Sequence, residues 1–227
     1  MIHPVFQPIY CAESGSLVGA EVLARWRDNS QWVCPSDLNQ KIQWLDVDQE
    51  ILRNLLRNVE TIKSKYPILF INVSADTLSS PECLFSWTVK VRKLQAQTGI
   101  KLCCEVTETV PNDLLKHSWN TLKSMDVLLF MDDYGHEHST FSRLIDYPWD
   151  GCKFDMKRLQ AGYTEDRCAI RYCLDSGLSV VGEQVESAKI ALKAMEEGLI
   201  WHQGFYYGDA EKTIGVSVEQ QGAVAEK

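Results

Sequence analysis

Six oxygen-bearing side chains, Glu21, Asn72, Glu105, Asp132, Asp133 and Glu183, stand in or at the ends of short apolar runs. Asn72 closes Leu69-Phe70-Ile71, Glu105 follows Leu102-Cys103-Cys104, and Asp132-Asp133 follow Val127-Leu128-Leu129-Phe130-Met131. Glu183 follows Ser179-Val180-Val181-Gly182, Lys153 and Asp155 flank Phe154, and Gln203 follows Trp201-His202. Singly, each has a plain structural reading, because a carboxylate after a strand caps the next helix and an Asn in a turn shapes the turn. Seven run ends in succession, each carrying a group that binds metal or phosphate, exceed what capping explains. A buried cluster of acids repels itself unless cations or protons compensate. An all-oxygen ligand set favours Mg2+ or Mn2+, with Ca2+ a competitor. Two such ions, ~3.5–4 Å apart, can clamp an in-line phosphodiester hydrolysis. The residues thus point to a metal-dependent hydrolase of a phosphoester and leave the substrate open.

For these groups to meet, the runs that carry them must be neighbouring strands whose carboxyl ends gather at one face. Short apolar, β-branched runs predict strands over Val5–Tyr10, Ser16–Ala24, Ile68–Val73, Lys101–Val106, Val127–Met131, Gly151–Phe154, Leu178–Gly182 and His202–Phe205. Helices are expected over Trp44–Lys65, Glu82–Gln97, Asn112–Ser124, His138–Ile145, Glu165–Asp175 and Ser187–Glu197. Pro81 and Pro111 stand at helix starts, and Gly99 and Gly177 follow helix ends. Eight strands in this alternation predict an α/β fold, a single (β/α)8-type, TIM-like barrel. Only Glu13-Ser14-Gly15 separates the first two strands, so they form a hairpin and the first strand runs antiparallel.

The 227 residues suit one such domain over residues 1–208, and the tail 209–227 loses apolar periodicity and reads as a poorly ordered terminus. Thirty-one acidic residues against 23 basic ones, a net charge of −8, argue against binding DNA or RNA polymers. Metal ions among carboxylates turn a local field positive, so a phosphodiester substrate stays compatible with that charge. The eight cysteines include no C-x-x-C pair, which removes sequence support for zinc. No apolar run approaches the ~20 residues of a membrane span, and Met1-Ile2-His3-Pro4-Val5 lacks signal-peptide character. A reduced, cytoplasmic setting without membrane attachment is the expectation.

The same residues resemble the EAL-domain cyclic-di-GMP phosphodiesterases over nearly the whole chain. Phe6-Gln7-Pro8-Ile9-Tyr10 is similar to the family's Q-P-I start, and Glu21-Val22-Leu23-Ala24-Arg25-Trp26 to its E-A-L-x-R-W signature. Asn72-Val73-Ser74 resembles N-x-S, Glu105-Val106-Thr107-Glu108 resembles E-x-T-E, and Asp132-Asp133-Tyr134-Gly135 resembles D-D-F-G. Lys153-Phe154-Asp155, Glu183-Gln184-Val185-Glu186 and Gln203-Gly204-Phe205 resemble K-x-D, E-G-V-E and Q-G-Y. The resemblance implies hydrolysis of cyclic-di-GMP to linear pGpG, lowering a messenger that controls biofilm and motility. Glu21, Asn72, Glu105 and Asp132 would bind a first ion and Asp133 a second, with Glu183 a general base or further ligand. Lys153 would position the attacking water, so Glu21, Lys153 and Glu183 form the expected catalytic set. Gln7, Arg25, Asp155 and Gln203 are the expected substrate-side residues, with Arg25 on a phosphate and Gln203 also supporting the metal site. Glu108 and Glu186 would support loops.

Three departures qualify the resemblance. After Gly135 the chain reads His136-Glu137-His138-Ser139-Thr140-Phe141 where relatives carry a small Thr-Gly pair and an aromatic residue. The resemblance implies that this loop couples dimer contacts to the metal site, so its change bears on dimerisation and its control. Beside cyclic-di-GMP, a homodimer and a protein partner are the candidate macromolecular partners. His136 and His138 read as exposed loop residues rather than a metal site. The segment after Pro35 (residues 35–46) is short, and Gln184 replaces a glycine beside Glu183. These changes keep an alternative in view, a catalytically degenerate member that binds cyclic-di-GMP or a protein and regulates motility or adhesion.

Overall fold

The first two strands, β1 (Ile2–Cys11) and β2 (Leu17–Asp28), pair as the expected antiparallel hairpin, with Gln7 opposite Glu21. In the computed structural model, which describes residues 2–28, 31–38 and 41–210, the short β3 (Gln31–Val33) extends the edge of β2. Six further strands follow: β4 (Ile68–Val73), β5 (Lys101–Val106), β6 (Leu128–Met131), β7 (Gly151–Asp155), β8 (Ser179–Glu183) and β9 (Trp201–Gln203). β2 and β4 through β9 pair in parallel, and β1 closes the ring antiparallel to both β9 and β2. The result is an eight-stranded mixed barrel with β3 outside the ring.

Nine α-helices, counted among the described residues, join the strands: α1 (Trp44–Arg57), α2 (Val59–Lys65), α3 (Ala75–Leu78), α4 (Pro81–Thr98), α5 (Asn112–Lys123), α6 (Phe141–Asp146), α7 (Met156–Gln160), α8 (Thr164–Asp175) and α9 (Ala188–Glu196). The expected helix over Trp44–Lys65 is two helices. Asn58 leaves the helical region (φ −123°, ψ 28°) while its side-chain amide donates to the Asn54 carbonyl at 2.8 Å. A side chain that bonds the backbone in this way competes with the helix ladder. α6 starts three residues later than expected, at its Thr140 cap, where Thr140 Oγ1 accepts from Arg143 N. The expected tail begins at 209, and its residues 211–227 lie outside the described residues. No described helix is long and apolar enough to cross a membrane.

The barrel interior is filled by a small apolar plug of Ile9, Phe70, Cys103, Phe130 and Val181, while a larger core fills the shell between strands and helices. Side chains alternate along a strand, so the residue two positions beyond a plug residue also faces inward. From Phe70 that step reaches Asn72, from Cys103 Glu105, from Phe130 Asp132 and from Val181 Glu183. In the antiparallel β1 the step runs backward, from Ile9 to Gln7. The plug is tight: Phe70 and Phe130 meet edge to face at 5.5 Å, and a Cβ on Gly151 would lie 2.3 Å from Phe130 Cζ. Above the plug, α1 is tied to the end of β4 by buried Asp48. Its Oδ2 accepts from Ser74 N at 3.1 Å, Ser74 Oγ at 2.6 Å and Thr77 Oγ1 at 2.6 Å.

Removing the plug's central ring tests its role as the floor of the polar layer. Phe130→Ala is expected to lower unfolding free energy by ~3–5 kcal/mol, measured by urea denaturation. Asp48 supplies a pH test. Burial pushes its carboxyl up to about 6 from 3.8, despite the donors of Ser74 and Thr77. A raised native value means the unfolded chain releases this proton first, so stability from Asp48 is full below pH ~4 and is lost as pH rises toward 6. From 3.8 to about 6, at ~1.4 kcal/mol per pH unit, the loss is about 3 kcal/mol. Denaturation of wild type and Asp48→Asn at pH 4 and pH 7 should show that difference; parallel pH profiles would contradict it.

Candidate active site

Directly above the plug, the inward side chains of the strand ends converge on the Lys153 ammonium, which is 1% exposed. Its Nζ lies 2.7 Å from Glu183 Oε1, 2.9 Å from Glu21 Oε2, 3.1 Å from Glu105 Oε1 and 3.2 Å from Asp132 Oδ1. Glu21 is further held by amides: Asn72 Nδ2 donates to Oε1 at 3.0 Å and Gln203 Nε2 to Oε2 at 2.7 Å. Gln203 Nε2 also lies 3.1 Å from Gln7 Oε1, which links β9, β1 and β2. Eight residues scattered from position 7 to position 203 therefore form one connected layer.

The electrostatics of this layer are unbalanced. Four carboxylates around one ammonium leave three excess negative charges if all ionise. Burial raises the Glu105 carboxyl far above its usual range, and the charge on Glu21 adds to this. Burial also raises Glu183 and Asp132, although Lys153 pulls both back. Glu21 is the exception: burial would raise it, but Lys153 and the amides of Gln203 and Asn72 hold it below its ordinary value. Burial would lower Lys153, yet the surrounding acids, led by Asp132, hold it well above the usual lysine range. Its contacts with Glu105 Oε1 and Asp132 Oδ1 are ion pairs outside hydrogen-bond geometry. Those two oxygens, with Glu105 Oε2, Glu183 Oε2 and Gln203 Oε1, accept no hydrogen bond from any described residue. Buried carboxyl and amide oxygens left without donors are the kind of ligands a hard divalent cation takes.

Glu108, Asp132 and Asp133 can bring one carboxylate oxygen each to within 4.8 Å of one another. Burial and Asp132 together push Asp133 up to about 7. Asp133 (φ 46°), Glu137 (φ 41°) and Gln184 (φ 55°) all adopt left-handed backbone. A non-glycine residue there costs of order 1 kcal/mol or more and concentrates at functional sites. Gln184 thus takes up a conformation natural to glycine, and Glu183 before it still reaches Lys153. Gly204 has no substitute: a Cβ would meet Val185 O at 2.3 Å.

The layer forms part of a groove of about 800 Å³ whose walls include Arg25, Asp48, Trp44, Lys157, Glu186 and Phe205. Arg25 spends one N–H on the Ala24 carbonyl at 2.9 Å. Glu186 pairs with Lys157 across the rim at 2.9 Å. Asp155 is not among the groove-lining residues: its Oδ1 accepts from Lys157 N at 2.7 Å, capping α7, and its Oδ2 lies 3.8 Å from His136 Nε2. His136 is exposed, and the backbone N–H of half-buried His138 donates to the Glu108 carbonyl at 3.0 Å. Of the short segment after residue 34, Pro35, Ser36 and Trp44 line the groove. Asp48 and Lys157 escaped the sequence reading. Asp48 had a usable signal, since it falls on the apolar stripe of α1 with Ile51, Leu52 and Leu55, where an acid has no reason to be solvated.

Comparison with known proteins places this geometry. The family model for the EAL domain matches residues 1–210. The chain is 28% identical over 227 residues to the probable cyclic di-GMP phosphodiesterase PdeG of Escherichia coli, covering 91% of this chain and 44% of that protein. It is also 28% identical to the cyclic di-GMP phosphodiesterase PdeL of E. coli, with 90% and 61% covered. The cyclic di-GMP phosphodiesterase RocR of Pseudomonas aeruginosa is 27% identical, with 89% and 55% covered. The chain thus spans roughly half the length of these relatives. The Bacillus subtilis YkuI protein, with an EAL domain and in complex with cyclic-di-GMP and calcium, superposes with a TM-score of 0.77 at 22% identity, over 96% of this chain and 58% of that one. Klebsiella pneumoniae BlrP1, in a manganese and cyclic-di-GMP complex, gives 0.72 at 20% identity, over 90% and 54%. With the family model matched along the barrel and the same mixed-barrel fold in these solved structures, the chain belongs to the EAL domain family.

Proposed function

We propose that this protein is a phosphodiesterase that hydrolyses cyclic-di-GMP to linear pGpG with the help of divalent cations. The observation that carries the reading is the buried carboxylate layer, with oxygens left without donors, set into a groove large enough for a cyclic dinucleotide. The relatives named as cyclic di-GMP phosphodiesterases support the substrate, and the acidic sign of the layer supports the cation.

Glu21, Asn72, Glu105, Asp132 and Asp133 would hold two Mg2+ or Mn2+ ions, with Glu183 a further ligand or the general base. Once bound, the ions supply Lewis-acid activation of a phosphoryl oxygen and of water. The chain's own residues do the rest. Asn72 and Gln203 keep Glu21 ionised and aimed. Lys153 holds four acids together and presents a fixed positive charge toward an attacking water or a developing phosphorane. Glu183, with its carboxyl raised by burial, retains affinity for a proton and can take one from water. Arg25 on the wall offers its remaining N–H groups to the second phosphate of the substrate. Ca2+, with its looser geometry, would occupy the same oxygens and inhibit.

Incubation with cyclic-di-GMP and Mg2+ or Mn2+, with pGpG followed by chromatography, tests the reading. Turnover is expected with either ion and a loss on the order of 10²-fold or more in Glu21→Ala; retained activity in that variant would remove Glu21 from the site. Binding of cyclic-di-GMP without any turnover would place the protein among receptors instead.

Lys153 gives a second test through stability. Lys153→Ala leaves four buried acids without their counter-charge, a loss of ~3–5 kcal/mol in chelator. Mg2+ should restore much of it by binding the folded state. Denaturation with and without Mg2+ reads this directly, and an equal loss under both conditions would contradict cation binding among these acids.

A further inference from the structure

Arg143 is 1% exposed, and among the described residues no carboxylate lies within ion-pairing distance of it. It stands on α6, and its guanidinium is spent on neutral acceptors in the segment that follows β5. Nε donates to Asn112 Oδ1 at 2.8 Å and Nη2 to the Val110 carbonyl, 31 and 33 positions earlier in the chain, while Nη1 has no hydrogen-bond partner. The other end of the residue is fixed too, since Trp149 Nε1 donates to the Arg143 carbonyl at 3.0 Å. With no acid beside it, burial pushes this guanidinium down to about 10. A buried cation held by neutral acceptors is a poor way to gain stability, and a hydrophobic side chain of similar volume commonly does as well or better. What the guanidinium does supply is directed bonds between two segments that both carry acids.

The segment it grips runs from Glu105 through Glu108 to the start of α5, and α6 ends the loop that begins with Asp132 and Asp133. One backbone bond, His138 N to the Glu108 carbonyl at 3.0 Å, also joins the two loops. We propose that Arg143 is a positioning residue for the acid cluster: by clamping the β5–α5 loop to α6, it holds Glu108 against Asp132 and Asp133. The inference rests on the reading of Asp132 and Asp133 as cation ligands, beside which Glu108 stands.

The test is Mn2+ titration of the intact protein by electron paramagnetic resonance, in wild type, Arg143→Met and Arg143→Lys, with melting in chelator as a check of folding. Wild type should bind a tighter and a weaker Mn2+. Arg143→Met should keep the tighter ion and weaken the other about tenfold or more, with kcat falling in parallel and KM within about threefold, and Arg143→Lys should lie between. A folded Arg143→Met protein with both affinities unchanged, or both weakened alike, overturns the clamp. Failure of the wild type itself to bind Mn2+ overturns the cation reading and the clamp with it, and is distinguished by appearing before any variant is compared. If Arg143→Met does not fold, Asn112→Leu at an exposed position removes one of the guanidinium's acceptors, and the same readouts decide.

Discussion

Mutual repulsion among buried acids is the constraint that the rest of this structure answers. A unit pair ~4 Å apart is worth about 4 kcal/mol at an effective dielectric of ~20. Four attractions to Lys153 are set against six acid–acid repulsions among Glu21, Glu105, Asp132 and Glu183, so one ammonium cannot neutralise the layer. The structure divides the load. Glu21 is kept ionised by two amides and the lysine, while burial and their neighbours drive Glu105 and Glu183 toward holding protons. Such a layer has strong affinity for further positive charge, which is the physical basis for reading it as a cation site.

The acids stay in place because the barrel beneath them does not yield. Gln7, Asn72, Glu105, Asp132 and Glu183 each sit one pleat above a plug side chain, so the closely packed ring of Phe70, Cys103, Phe130 and Val181 sets the height of Asn72, Glu105, Asp132 and Glu183. Phe130 occupies the space left by the missing side chain of Gly151, and β7 thereby approaches closely enough for Lys153 to reach the centre. A plug of fixed shape converts strand register into distances between charges.

At the mouth, control passes from strands to loops, and there the backbone is bent to purpose. Three non-glycine residues with positive φ, Asp133, Glu137 and Gln184, lie in or beside the acid layer. Strain of this kind persists only where surrounding contacts over-determine the conformation. Here those contacts include the His138–Glu108 backbone bond, the Gly135–Ser139 turn at 2.7 Å and the Arg143 guanidinium. The loop over residues 136–141 is therefore tied to the site on both sides.

Much of this was legible in the chain itself. Short continuous apolar runs ending in Asn72, Glu105, Asp132 and Glu183 predict buried strands with polar groups at their ends, and the short turn at Glu13-Ser14-Gly15 predicts the antiparallel hairpin, because run length and turn chemistry are local properties. The break at Asn58 was not legible, since leaving the helix there depends on a side-chain bond that helical periodicity does not report. Tertiary structure alone decided that Lys153 would stand among four acids, that Asp155 would cap α7, and that Asp48 and Lys157 would join the groove wall. It also decided which acids hold protons, because that depends on distances between residues up to 182 positions apart, as Gln203 and Glu21 are. Sequence names the ionisable groups; burial and proximity, which only the closed barrel creates, set their charge.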